Sequence, residues 1–158
     1  MRWTTMVTQH QLAACLGQSI GEICQNGYTS ALDNHCAHFV SHVLGYQFGV
    51  TCRTMGTGKG PAATLRVHEL FPKCQKVGVW SLRPASFNIG LVFMTRASNV
   101  NLATRTMANV PRKHVGIFLD GFVWHYSNVQ QKVVRQLPAH FSQHYPAPDN
   151  AMFFGTLP

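Results

Sequence analysis

Acidic residues are scarce in this chain: Glu22, Asp33, Glu69, Asp120 and Asp149 are set against 13 lysines and arginines, so the net charge is +8 with histidine neutral. Such an excess favours an anionic partner or substrate. Nucleic acid is not the expected one, because no helix-length face is densely basic with interleaved aromatics and no zinc-finger or ribonucleoprotein motif is present. No apolar run approaches the roughly 18 residues of a membrane span. The first 25 residues lack the apolar core of about 7–15 residues and the small-residue cleavage site of a signal peptide. The expectation is a protein without a membrane span, made in the cytoplasm.

CxxC spacing is also missing, and the five cysteines (15, 24, 36, 52 and 74) are odd in number. This argues against a zinc ribbon and against a complete disulfide framework, and leaves at least one thiol unpaired within the chain. Cys52 and Cys74 flank a glycine-rich loop, TCRTMGTGKGPAA at 51–63, and could pair in an oxidising compartment. The glycines at 56, 58 and 60 suggest a phosphate cradle, but no Ser or Thr follows Lys59-Gly60 as a P-loop requires. With 46% hydrophobic residues, 8 prolines and 13 glycines spread over 158 positions, and no repeat, the chain reads as one globular domain spanning 1–158.

Apolar residues at helical spacing over 9–24 predict a first amphipathic helix ending near Gly27. A second is expected to start at Asp33 or Asn34 and run to about Leu44, with Gly45 as its stop. A short helix over 61–70 precedes Pro72. Strands are expected over 77–82, 89–95, 113–119, 122–127, 131–137 and 151–154. Helices first and closely spaced strands later favour an α+β fold with an antiparallel sheet. The stretch 96–111, long for a connection, is expected to border a binding cleft.

On the second helix, Cys36, Phe39, Val40, Val43 and Leu44 share one side, and His35, His38, Ser41 and His42 share the other. Cys36 then sits in the first turn, where free backbone N–H groups and the macrodipole favour a thiolate and could hold an oxyanion. A cysteine on an apolar stripe is also a common core residue, so a partner decides the matter. His38 and His42, four apart, lack a third ligand of matching spacing and read as a solvated polar face; no metal and no cofactor are expected.

A partner for Cys36 lies in KHVGIFLDGFVWHYSN, residues 113–128, where Asp120-Gly121 signals a type I′ hairpin. Pairing of Leu119 with Phe122 places His114, Gly116, Phe118, Val123, His125 and Ser127 on one face, with His114 and His125 in a diagonal relation. Gly116 leaves room between them. A helix-start thiol, an imidazole on a neighbouring strand and a third polar group that orients it are the parts of a papain-like site. The expected roles are Cys36 as nucleophile, His114 as general base and His125 as orienting group. Cys36 N–H and the Tyr28 hydroxyl are the expected oxyanion donors.

At these residues the chain resembles the NlpC-type cell-wall peptidases. Their nucleophile lies in an Asp-Cys-Ser-Gly-Phe-Val-like helix start and their base opens a His-Val-Gly-Ile strand; the counterparts here are DNHCAHFV and HVGIFL. IGLVF at 89–93 is similar to the family's Gly-Asp-Leu-Val-Phe strand, and VWHYSN holds a histidine where the family often has its third catalytic one. The likeness spans about residues 28–154, and residues 46–86 match weakly. It implies a papain-like central antiparallel sheet packed by helices and hydrolysis of amide bonds in peptidoglycan stem peptides; with no export signal, phage lysis, a secretion apparatus and no wall substrate at all are the open possibilities. His35 stands between Asn34 and Cys36, and Ala37-His38 replaces the family's Ser-Gly pair. NHCAHFV also looks like the Asn-Cys-Glu-His-Phe-Val segment of lecithin:retinol acyltransferase relatives, which place the histidine before the cysteine. A papain-like hydrolase or acyltransferase acting on lipid or protein-conjugate substrates, and a non-catalytic basic binding module, remain as alternatives.

Overall fold

The computed structural model describes residues 7–54, 63–145 and 147–157. The periodic segment over 9–24 is two helices, α1 (Gln9–Cys15) and α2 (Ile20–Ile23), rather than one. Gly17 takes φ 76°, a left-handed conformation that breaks a helix, and Ser19 opens α2 through a capping box with Glu22. The break is tied down by Gly17 N–H donating to the Val133 carbonyl (3.0 Å) and Val133 N–H to that of Gln18 (3.0 Å).

Helix α3 (Cys36–Leu44) starts slightly later than expected, with His35 at its N-cap and no side-chain capping bond from that residue. Gly45 ends it in the left-handed conformation, as the sequence suggested. Of the helix expected over 61–70, positions 61 and 62 lie outside the described residues, and the remainder is a 3-10 turn (Ala63–Leu65) and then α4 (Val67–Leu70). Most of the glycine-rich loop, 55–62, is likewise outside them.

The strands are β1 (Val77–Val79), β2 (Ile89–Arg96), β3 (Val100–Asn101), β4 (Thr106–Met107), β5 (His114–Leu119), β6 (Phe122–Ser127) and β7 (Lys132–Gln136). Then come α5 (Pro138–Phe141) and β8 (Asn150–Gly155). The fold is α+β, built on a six-stranded sheet in the order β1-β8-β2-β5-β6-β7 whose paired strands run antiparallel. The stretch 96–111 is not bare loop, for β3 and β4 pair there as a small ribbon. Among the described residues no helix is long and apolar enough to cross a membrane.

Period-two alternation divides the core between the sheet's faces. Leu91, Phe93, Val115, Ile117, Trp124 and Tyr126 pack with Phe39 and Val40 of α3 on one. Val92, Met94, Phe118, Val123 and Phe154 pack with Phe87 and Phe141 on the other. Each such large side chain, fully buried, contributes about 1.5–3 kcal/mol. The hairpin forms in the expected register, Leu119 opposite Phe122, and Asp120 and Gly121 both take positive φ (50° and 89°), as a type I′ turn demands. The imidazoles of β5 and β6 thus lie on a covered face, under α5.

Candidate active site

Cys36 and His114 are brought to the same end of the sheet, on either side of the start of β5. His114 shares its sheet face with Phe118, and its ring packs near Phe141 (centroids 5.5 Å apart). The apolar stripe of α3 packs on the other face, with Val115 and Ile117. The first turn of α3 reaches the beginning of β5, where the Val115 backbone and the Lys113 charge act on the Cys36 thiol. No hydrogen bond joins Cys36 Sγ to His114 among the described residues.

His114 and His125 do meet. His114 Nε2 lies 2.8 Å from His125 Nδ1, and His125 Nε2 lies 2.7 Å from Gln136 Oε1. An amide oxygen only accepts, so His125 carries its proton on Nε2 and presents a lone pair at Nδ1. His114 therefore donates from Nε2, and as a neutral ring it is left with a basic Nδ1. That nitrogen is buried and has no hydrogen-bond partner. Gln136 thus sets the tautomers of both rings. Burial, then the neighbouring histidines, hold His114 well below its ordinary pKa; burial, opposed by the Gln136 bond and aided by His144, brings His125 down to about 4.

His144 stacks on His114, ring centroids 3.9 Å apart and planes 9° from parallel. The ring nitrogens of His114, His125 and His144 lie within 4.8 Å of one another, but the lone pairs of two stacked rings run parallel and do not converge on one ion. The bond between His114 and His125 occupies another of the nitrogens. This cluster is therefore read as a relay rather than a metal centre.

Cys36 is 1% exposed and lines a cleft of about 340 Å³ together with Tyr28, Asn34, Arg66, Arg112 and Tyr145. Pro111 and Asn109 line it too, so the end of the 96–111 stretch does border a cleft. The helix start does not win the electrostatic contest at the thiol: burial pushes Cys36 up to about 11, against smaller lowering effects from the Val115, Ala37 and Cys36 backbones and Lys113. The resting group is a thiol. Cys36 N–H, one expected oxyanion donor, is occupied by Asn34 Oδ1 at 2.9 Å. Tyr28, the other, stands in the cleft wall, its phenol raised above the ordinary range chiefly by burial and then by Asp33, so it stays a donor.

The polar face of α3 is mostly closed to solvent. His35 and His38 have no exposed surface and Ser41 almost none, with Tyr28 and Ser30 packed against the two histidines, while His42 is half-buried. Cys24 and Cys52 join His38 and His42 there as a four-residue group that could hold a metal ion. Sequence spacing hid this group because its cysteines sit 14 residues before His38 and 10 after His42. All five cysteines are free thiols; Cys52 and Cys74 lie in different apolar clusters and do not pair.

Three residues at the relay and the cleft escaped the sequence reading: Gln136, His144 and Tyr145. Gln136 is the last residue of a strand that was expected, so its alternation with Val134, which lies opposite His125, was an available signal. His144 and Tyr145 had none, since they come after a helix, α5, that was not expected. Comparison with known proteins finds no matching family model, no matching curated protein and no matching solved structure.

Proposed function

We propose that the protein is a papain-like cysteine hydrolase of the NlpC type, which cuts amide bonds in peptidoglycan stem peptides. The observation that carries this reading is the unpartnered Nδ1 of His114, left as the lone-pair nitrogen by the bonds that run from His114 through His125 to Gln136. A structural histidine normally has its buried nitrogens satisfied. Here the unpartnered one belongs to the residue just before Val115, whose backbone lowers the Cys36 thiol pKa.

In the proposed reaction, rotation of the Cys36 side chain brings Sγ to His114 Nδ1; catalytic hydrogen bonds are often long in unliganded enzymes and tighten on substrate binding. His114 accepts the thiol proton as Sγ attacks the scissile carbonyl carbon. The Tyr28 hydroxyl supports the oxyanion, joined by Cys36 N–H once the Asn34 carboxamide turns aside. His114 then returns the proton to the leaving amine, and water, activated by the same Nδ1, hydrolyses the thioester. His125 and Gln136 keep the imidazole oriented throughout. Arg66, Arg112 and Lys113 along the cleft suit the carboxylates of stem peptides.

The test is digestion of purified peptidoglycan with mass spectrometry of the released peptides. Wild-type protein is expected to release fragments cut at one amide bond and Cys36→Ala none; a Cys36→Ala variant working at the wild-type rate removes the mechanism. The buried, protonated thiol favours a second reading, a basic binding module in which Cys36 is only a core residue. That reading requires Cys36 to react with iodoacetamide no faster than a free cysteine at neutral pH. A substrate panel including lipid esters and protein conjugates separates peptidase from acyltransferase.

A further inference from the structure

We propose that Cys24, His38, His42 and Cys52 form a tetrahedral structural zinc site beside the catalytic helix. One ligand atom from each of the four lies within 4.8 Å of the others. Zinc–nitrogen bonds of about 2.0–2.1 Å and zinc–sulfur bonds of about 2.3 Å put tetrahedral ligand atoms about 3.3–3.8 Å apart, a modest contraction of this cluster. Cys52 Sγ and His42 Nδ1 are already 3.5 Å apart. Two thiolates and two neutral imidazoles form a donor set suited to zinc, and they neutralise its charge within a buried pocket.

The second observation is the protonation pattern behind His38. His35 Nε2–H donates to the Ser30 carbonyl (2.7 Å), so His35 Nδ1 is an acceptor and takes the proton of His38 Nδ1 (3.1 Å). His38 is left with its lone pair on Nε2, which is buried and has no partner. This is the arrangement of a metal-bound imidazole, whose other nitrogen donates to a supporting group. Asn26 Nδ2 donates to Cys52 Sγ at 3.5 Å. A disulfide between Cys24 and Cys52 would leave the His38 nitrogen as unsatisfied as before. Zinc would bind in exchange for the two thiol protons and tie the end of α2, the buried face of α3 and the loop at Cys52 to one point.

The full-length protein, purified under reducing conditions, is expected to contain about one zinc per chain by elemental analysis. After metal removal, Co²⁺ should restore a visible spectrum with the intense bands of tetrahedral cobalt and thiolate charge transfer, and zinc should raise the melting temperature. His35→Ala, which removes the supporting group and no ligand, should weaken zinc binding about 10–100-fold. Cys24→Ser should weaken cobalt binding and lower the thiolate band, and Cys24→Ser/Cys52→Ser should abolish it, while Cys15→Ser, outside the cluster, should leave it intact. If Cys24→Ser fails to fold, the cobalt spectrum of the wild-type chain still decides. A wild-type chain that takes up neither ion, or that proves to carry a Cys24–Cys52 disulfide by mass analysis without reductant, overturns the proposal.

Discussion

Gly116→Ala is the most demanding test of how β5 and β6 hold the two imidazoles. A Cβ at position 116 would stand 2.7 Å from Val123 Cγ1, 3.1 Å from His125 Cβ and 3.1 Å from the Trp124 carbonyl oxygen. The first neighbour is a fully buried branched side chain and the last is backbone of the paired strand, so neither yields cheaply. Overpacking of this kind costs about 1–3 kcal/mol. The smaller entropy of an unfolded alanine offsets about 0.4–1 kcal/mol, leaving a net loss centred on about 1.3 kcal/mol. For a domain of this length that lowers the melting temperature by about 3–5 °C. Because His125 is one of the crowded groups, its 2.8 Å bond to His114 should lengthen as well, and activity should fall by more than the stability loss explains. Thermal melts, imidazole nitrogen NMR and the peptidoglycan digest read the three effects. Val123→Ala in the same chain removes the closest contact and should restore part of the stability, with a coupling of about 0.5–3 kcal/mol. A Gly116→Ala protein that melts at or above the wild-type temperature with an unchanged histidine spectrum would refute the packing on which this rests.

Three further outcomes are expected. His114→Ala should lower the rate about 10²–10⁴-fold, the usual worth of a positioned general base, in steady-state digestion of a defined stem peptide. Gln136→Leu should shift the His125 tautomer seen by NMR and cut kcat more than KM, whereas Gln136→Glu, which keeps an acceptor, should retain activity; equal effects of the two would deny Gln136 its positioning role. Acid should destabilise the fold. An unfolded histidine takes its proton near pH 6.5 and folded His125 only near 4, so between these values the unfolded state holds more protons and stability drops as pH falls. From pH 7 to 5 this single group removes about 2 kcal/mol, and His125→Gln should flatten that slope in urea titrations.

Local chemistry alone determined a good part of this protein. Asp120-Gly121 specified the hairpin and its register, since a two-residue turn with both φ positive leaves one way to pair the flanking strands. Gly45 closed α3, and alternation in β5 and β6 put His114 and His125 on one face, where they are hydrogen-bonded. What tertiary structure decided was everything that depends on which distant segments cover a face. Burial of Cys36 outweighed the helix-terminus effect that its position in the sequence suggested. The histidine face of α3, polar by residue type, was largely covered by distant segments, which bring Cys24 and Cys52 to His38 and His42. Gln136 of β7, which holds His125, and His144 after α5, which stacks on His114, come from distant segments, and desolvation and ligand geometry are sums over such long-range neighbours, which no local pattern records.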